Sequence, residues 1–179
     1  MEALSLLQLR AVLRAMKPLE LEDAICILYR TSAEAAAFFN ERYNTPAYVT
    51  HLLDEYRSML RLQLSHVNAC GCITRVKNSL EEFQRLTCCS EAALELMLFC
   101  VETATSWARD DILSITACNE MLEVFRRFIT LLNQETENRL FLRFKERLEQ
   151  LEWNAGTVSW SYGETLSDMC MDIRWWGLD

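Results

Sequence analysis

The stretch EAALELMLFCVETATSWAR, residues 91–109, would be apolar around most of its circumference as an α-helix. Its acidic residues Glu91, Glu95 and Glu102 fall on one narrow stripe. A helix that is apolar on nearly all sides belongs in the centre of a protein, with other helices packed around it. We therefore predict a central helix over residues 91–109. The side chains expected to be almost fully buried are Leu94, Met97, Leu98 and Val101.

The segments around this helix place apolar residues three and four positions apart, as amphipathic helices do. The predicted helices cover residues 2–16, 18–43, 46 to about 65, 73–83, a stretch after Asp111, and 140–151. The helical pattern is interrupted near Ser32, which fits either a kink within one helix or a break between two. The chain has only 4 Gly and 2 Pro, whereas sheets and hairpins need frequent turns. The sequence therefore predicts an all-α fold.

Two regions differ in composition. Residues 1–152 are predicted to form one helical bundle, and residues 153–179 a Trp-rich tail that packs on it. The tail is expected to be irregular, with one short helix near residues 163–173. Large exposed aromatic rings forfeit a burial contribution, so we expect Trp153 and Trp160 to pack onto the bundle and Trp175 and Trp176 to be freer.

Charge and hydropathy limit the partners. The net charge is −8 and the pI is about 4.9, and an acidic surface repels nucleic acid and anionic lipid. The apolar run Leu96–Val101 is too short to span a membrane and lies between two glutamates. We expect no secretory signal, because residues 1–14 carry Glu2 and Arg10 and have the pattern of an amphipathic helix. We expect a cytoplasmic protein, or one at the mitochondrial surface if an anchor follows Asp179.

Eight cysteines raise the question of metal binding. A metal could be held by a cluster of His66, Cys70, Cys72, Cys88 and Cys89. Structural zinc sites normally contain Cys pairs two to four residues apart, and the pairs here are Cys-x-Cys and Cys-Cys. We predict free thiols, with no metal and no cofactor.

Catalytic motifs are not apparent in the sequence. The only histidines, His51 and His66, lie about four turns apart on one predicted helix, so they cannot meet at one site. Phosphate-binding glycine loops and zinc-protease motifs do not occur. Acidic pairs such as Asp110-Asp111 are typical of solvated faces and helix caps. We expect that the chain is not an enzyme.

Three stretches carry a family resemblance: FFNERY at residues 38–43, VKNSL at residues 76–80, and the apolar helix that Ser90 begins. They are similar, in the same order, to apoptosis inhibitors of the poxvirus Bcl-2-like family. Residues 98–148 also resemble the last three helices of the vaccinia-type members that block innate immune signalling. The resemblance covers about residues 33–151 and implies a Bcl-2-like bundle.

This resemblance implies a protein-binding function. A first reading is that the chain inhibits apoptosis by binding BH3-type helices of pro-death host proteins. The groove residues it implies are Tyr48, Leu52, Tyr56, Arg75, Val76, Lys77, Leu80 and Phe83. For each apolar position, ordinary core packing is an alternative. Cellular relatives begin the central helix with Asn-Trp-Gly-Arg, and here residues 87–91 contain no Arg, so Arg75 or Lys77 would pair with the acid of the ligand.

The second reading is an inhibitor of innate immune (NF-κB-type) signalling that binds host adaptors through an outer face, with the groove closed. Both interpretations are compatible with a homodimer.

Overall fold

The computed structural model describes residues 4–43, 45–65, 72–87, 89–110 and 114–177. Within these ranges all regular structure is helical, which confirms the all-α prediction. The helices are α1 Leu6–Ala15, α2 Pro18–Thr31, α3 Ala33–Tyr43, α4 Pro46–Ser65, α5 Cys72–Thr87, α6 Ser90–Arg109, α7 Ile115–Asn133, α8 Arg139–Val158 and α9 Trp160–Met171. The chain divides into two compact units, the first ending at Tyr48 and the second starting at Val49.

In the first unit, local hydrogen bonds set where the helices begin and end. Ser5 precedes α1 and forms a reciprocal cap with Gln8, whose backbone N–H donates to Ser5 Oγ over 3.3 Å. Ser32 separates α2 from α3 in an extended conformation, and its Oγ accepts from the N–H of Ala35 at 3.2 Å. The pause near Ser32 is therefore a break between two helices.

Aromatic rings connect α2, α3 and the start of α4. Phe39 lies 6.3 Å from Tyr29 and stacks on Tyr43 at 6.0 Å, and Tyr43 contacts Tyr48 at 6.1 Å. Tyr29 also donates from its hydroxyl to Asn40 Oδ1 over 3.0 Å. None of the residues of α1, α2 or α3 is buried, so this unit has aromatic contacts but no interior of its own.

In the second unit, α6 occupies the core. Leu94, Leu98 and Val101 are fully buried and Met97 is 1% exposed, which confirms the prediction made from residues 91–109. Helices α5, α7 and α8 pack against α6.

Aromatic side chains fill the space around α6. Phe128 of α7 lies 5.8 Å from Phe125 and 5.7 Å from Phe144 of α8, and all three rings are fully buried. Rings at these distances add favourable contacts beyond their burial.

The predicted irregular tail is mostly helical, and this corrects the sequence analysis. Helix α8 continues through residue 153 to Val158, so the boundary predicted at 152/153 lies inside a helix. Ser159 is extended and its Oγ accepts from the N–H of Tyr162 at 3.2 Å, which caps α9. Gly156 lies inside α8, and a Gly within a helix costs only ~1 kcal/mol.

Helices α8 and α9 form a tight hairpin anchored on α6. A Cβ added at Gly163 would lie 2.7 Å from the Cα of Gly156, so the two backbones are in direct contact. Tyr162 is 1% exposed, and its hydroxyl lies 2.8 Å from Thr105 Oγ1. Because Thr105 donates to the carbonyl of Val101, its oxygen accepts from Tyr162.

The tryptophan predictions were wrong. Trp153 is 74% exposed and Trp160 is 78% exposed, whereas Trp175, expected to be freer, is buried against Phe141 at 6.3 Å. The buried side of α8 follows the helical spacing of Phe141, Phe144, Leu148, Leu151 and Ala155, and Trp153 lies off that series.

The described residues contain no helix long and apolar enough to cross a membrane. In the same ranges no cluster of three or more His, Cys, Asp or Glu side chains could hold a metal ion. Of the cluster weighed as a metal site, only the side chain of Cys89 is described, and it is a free thiol. The other members, His66, Cys70, Cys72 and Cys88, lie outside the described side chains.

Candidate functional site

The apolar residues implied for a groove are core residues. Leu52 and Tyr56 of α4 are buried, and so are Val76, Leu80 and Phe83 of α5, none of them more than 9% exposed. The rings of Tyr56 and Phe83 lie 5.1 Å apart, so they contact each other directly. At these five positions the structure therefore shows ordinary core packing, which was the alternative to a groove.

The other predicted groove residues are Tyr48, Arg75 and Lys77. Tyr48 belongs to the first unit, where its ring contacts Tyr43. Arg75 is exposed on α5, and Lys77 is half-buried. A hydrogen bond from Gln63 Nε2 to Ser79 Oγ at 3.1 Å adds a polar link between α4 and α5.

Lys77 and Leu80 line a different, shallow cleft between α5 and α7. It encloses about 400 Å³ above Met97 of α6, with Val124 of α7 on its other side. Leu80, Met97 and Val124 are each at most 3% exposed, so they offer a ligand little apolar area. Arg127 spans the rim and donates to Glu81 Oε1 at 3.0 Å.

The acidic stripe of α6 has partners on two other helices. Arg147 of α8 donates to Glu95 at 2.8 Å and to Glu102 at 2.7 Å, while Arg57 of α4 donates to Glu95 at 2.5 Å. Arg143 of α8 pairs with Glu91 in the same way. The stripe therefore holds α4, α6 and α8 together through charge-assisted hydrogen bonds.

The neighbouring carboxylates favour the charged form of Arg147. Burial alone would lower the pKa of Arg147, but the hydrogen bonds and charges of Glu102 and Glu95 outweigh it and raise the pKa above its ordinary value. Arg57 lies over the ring of Phe99 at 5.7 Å, and Arg61 lies over the same ring at 5.1 Å. A guanidinium held between carboxylates and an aromatic face serves packing, and offers no group for acid–base chemistry.

The outer side of the α8–α9 hairpin forms the second cleft. We call it the tryptophan face, made of Glu149, Glu152, Trp153, Gly156, Thr157, Trp160, Gly163, Glu164 and Ser167. It encloses about 590 Å³. None of the residues that line it is a Lys or Arg. Ser167 donates to Glu152 Oε1 at 2.5 Å, which fixes that carboxylate across the two helices.

Sequence reasoning missed this face because it expected Trp153 and Trp160 to be buried on the bundle. The missing signal was helical phase: Trp153 lies on the side of α8 opposite the apolar series that this helix buries.

Comparisons of the chain with models of known protein families, with curated proteins and with solved structures found no match.

Proposed function

We propose that this chain is a non-enzymatic, Bcl-2-like viral protein that suppresses innate immune signalling by binding a host adaptor through an outer face. The resemblance of its motifs to the poxvirus Bcl-2-like family is one support. The observation that supports this reading over the other is the burial of Val76, Leu80 and Phe83, which pack as core side chains of α5 and not as the exposed lining of a groove. A helix could enter there only if packed core side chains separated, at a large cost in free energy.

Outer faces of the second unit are better suited to binding. The largest exposed side chains of α8 and α9 are Trp153 and Trp160, and tryptophan is enriched among residues that dominate interface energetics. His51, the histidine within the described ranges, is exposed, and its Nε2 lies 3.5 Å from Glu55 one turn along α4, an arrangement common on helix surfaces.

The test is a reporter assay in cells that express the full chain. We expect it to lower NF-κB-driven transcription after cytokine stimulation, and calorimetry with a panel of BH3-type peptides to detect no binding. A chain that binds such peptides and protects cells from death stimuli, without any effect on the reporter, would contradict the proposal.

A second candidate function, apoptosis inhibition by binding a BH3-type helix, has one observation in its favour. Lys77 and Leu80, both implied by the resemblance, line the cleft between α5 and α7. There Lys77 could pair with the acid of the helix at the cleft rim. The discriminating variant is Lys77→Glu, with Arg75→Glu as its control because Arg75 is exposed on the same helix outside the cleft lining. Peptide binding lost in the first variant alone would favour this second function.

A further inference from the structure

The tryptophan face presents two aromatic rings on a rigid frame. The backbones of Gly156 and Gly163 touch, and the hydroxyl of Tyr162 is hydrogen-bonded to Thr105 in the core. Trp153 and Trp160 therefore project from helices that cannot readily move apart. A rigid aromatic surface loses little conformational entropy when a partner binds, so it is preorganised for docking.

The charge around these rings is of one sign. Between Leu148 and Ile173 the sequence contains no Lys or Arg and five acidic residues. Three of them line the face: Glu149, Glu152 and Glu164. A surface of this kind attracts cations and repels phosphate groups, so neither a nucleic acid nor an anionic membrane suits it.

Aromatic rings and carboxylates together recognise one type of side chain. The faces of tryptophan attract Arg and Lys more strongly than the other aromatic rings do. Carboxylates beside the ring accept hydrogen bonds from the same guanidinium or ammonium group. The two features occur here within one cleft of about 590 Å³, which is the size of a pocket for a few side chains and not for a whole domain.

From this arrangement we infer that the tryptophan face binds a basic segment of a partner protein. One or two Arg or Lys side chains of the segment lie against Trp153 and Trp160, and Glu149 and Glu164 pair with their charges. The inference rests on the proposed function in that it identifies the outer face and the chemistry of its partner.

The direct test uses the full purified chain and two synthetic amphipathic peptides with the same apolar residues. One peptide carries Arg at its polar positions and the other carries Glu. We expect the Arg peptide to bind with micromolar affinity and to shift the tryptophan emission to shorter wavelength, and the Glu peptide not to bind. Affinity should fall at least tenfold between low and high salt, because the attraction is partly between exposed charges.

Paired variants separate the face from the rest of the surface. Trp153→Ala combined with Trp160→Ala should weaken binding of the Arg peptide at least tenfold. Leu142→Ala, which removes another exposed apolar side chain of α8, should leave it unchanged. Glu164→Lys should weaken binding, whereas Glu120→Lys, the same charge change on an exposed position of α7, should not. Circular dichroism of each variant checks that the fold is retained.

Three outcomes would overturn the inference: equal binding of both peptides, undiminished binding by the double tryptophan variant, or a homodimer that this variant dissociates while the Arg peptide does not bind. The proposed function fails separately. If the chain binds the Arg peptide but does not lower the NF-κB reporter, the inference stands and the proposed function is wrong. If the chain lowers the reporter but does not bind the peptide, the proposed function stands and the inference is wrong.

Discussion

Two pairs of aromatic side chains lie in opposite environments, one pair on α4 and α5 and the other on α8 and α9. Tyr56 and Phe83 lie on the apolar stripes of α4 and α5 and face each other in the core. Trp153 and Trp160 lie off the buried sides of α8 and α9 and face solvent. The difference shows that the phase of an aromatic residue on its helix indicates its role better than its size does. Rings on the apolar side of a helix pack in the interior. Rings on the other side, when a rigid hairpin carries them, remain exposed and are available to bind a partner.

The same truncation in the two regions should have the largest difference in effect. Phe83→Ala removes a ring that is 1% exposed and should lower the free energy of unfolding by ~3–5 kcal/mol, through lost contacts and a cavity. Trp153→Ala removes a ring that is mostly in water and should change it by no more than ~0.5 kcal/mol. Urea unfolding followed by circular dichroism measures both. Similar losses in the two variants would mean that the tryptophan face is part of the core.

A second comparison concerns glutamates. Glu95→Gln removes a charge whose side chain is 10% exposed and leaves Arg57 and Arg147 without their shared partner. We expect a loss of about 2–3 kcal/mol, below that of a fully buried pair because both arginines keep about a third of their side chains exposed. Glu81→Gln, which breaks an exposed pair with Arg127, should cost less than ~1 kcal/mol.

The measurement for these two glutamates is again urea unfolding, at low and high salt. The effect of Glu81→Gln should shrink with salt, and that of Glu95→Gln should persist, since buried pairs are screened less. If both variants lose the same free energy of unfolding, the ion pairs of Glu95 with Arg57 and Arg147 contribute no more to stability than a surface ion pair does.

The two glycines of the hairpin should respond in opposite directions. Gly163→Ala places a Cβ 2.7 Å from the backbone of Gly156, so the helices must separate, and we expect a loss of about 2 kcal/mol. Gly156→Ala meets no atom within 4 Å and improves helix propensity, so stability should rise by up to ~1 kcal/mol. Thermal unfolding of both variants decides this. A stable Gly163→Ala protein would show that α8 and α9 are less tightly joined than the structure has them.

Much of the second unit was predictable from local pattern. The apolar circumference of residues 91–109 predicted the burial of Leu94 and Leu98, because a helix of that composition has no other stable environment. The partners of the acidic stripe were not predictable. Arg57 and Arg147 are distant from Glu95 in the sequence, and no local pattern encodes which helix packs beside α6.

The candidate site was predicted less well, for two physical reasons. A spacing such as that of Val76, Leu80 and Phe83 identifies an apolar helix face, but the same face suits a core and a ligand groove equally. The second reason is the hairpin. Gly156 and Gly163 suggest an irregular tail by composition, and only their close contact across α8 and α9 shows why helical backbone is compatible with them.

The smallest difference between variants that we predict tests whether the inner side of α9 is buried in the folded chain. Burial, with a further contribution from the charge of Glu152, raises the pKa of Cys170 from 9.0 to about 12. The unfolded chain therefore releases this proton first as pH rises, and stability that is fully present below pH 9 is lost progressively toward pH 12. From pH 8 to pH 10, the free energy of unfolding should fall by ~1 kcal/mol more in wild type than in Cys170→Ala, which has no thiol to ionise.

The control is Met169→Ala, which changes a buried neighbour without an ionisable group. It should lose as much free energy of unfolding as wild type over that interval, although its stability is lower at both pH values. Urea unfolding at the two pH values makes the comparison. Identical losses in wild type and Cys170→Ala would mean that the thiol ionises as readily in the folded chain as in the unfolded one, and that the inner side of α9 is open to water.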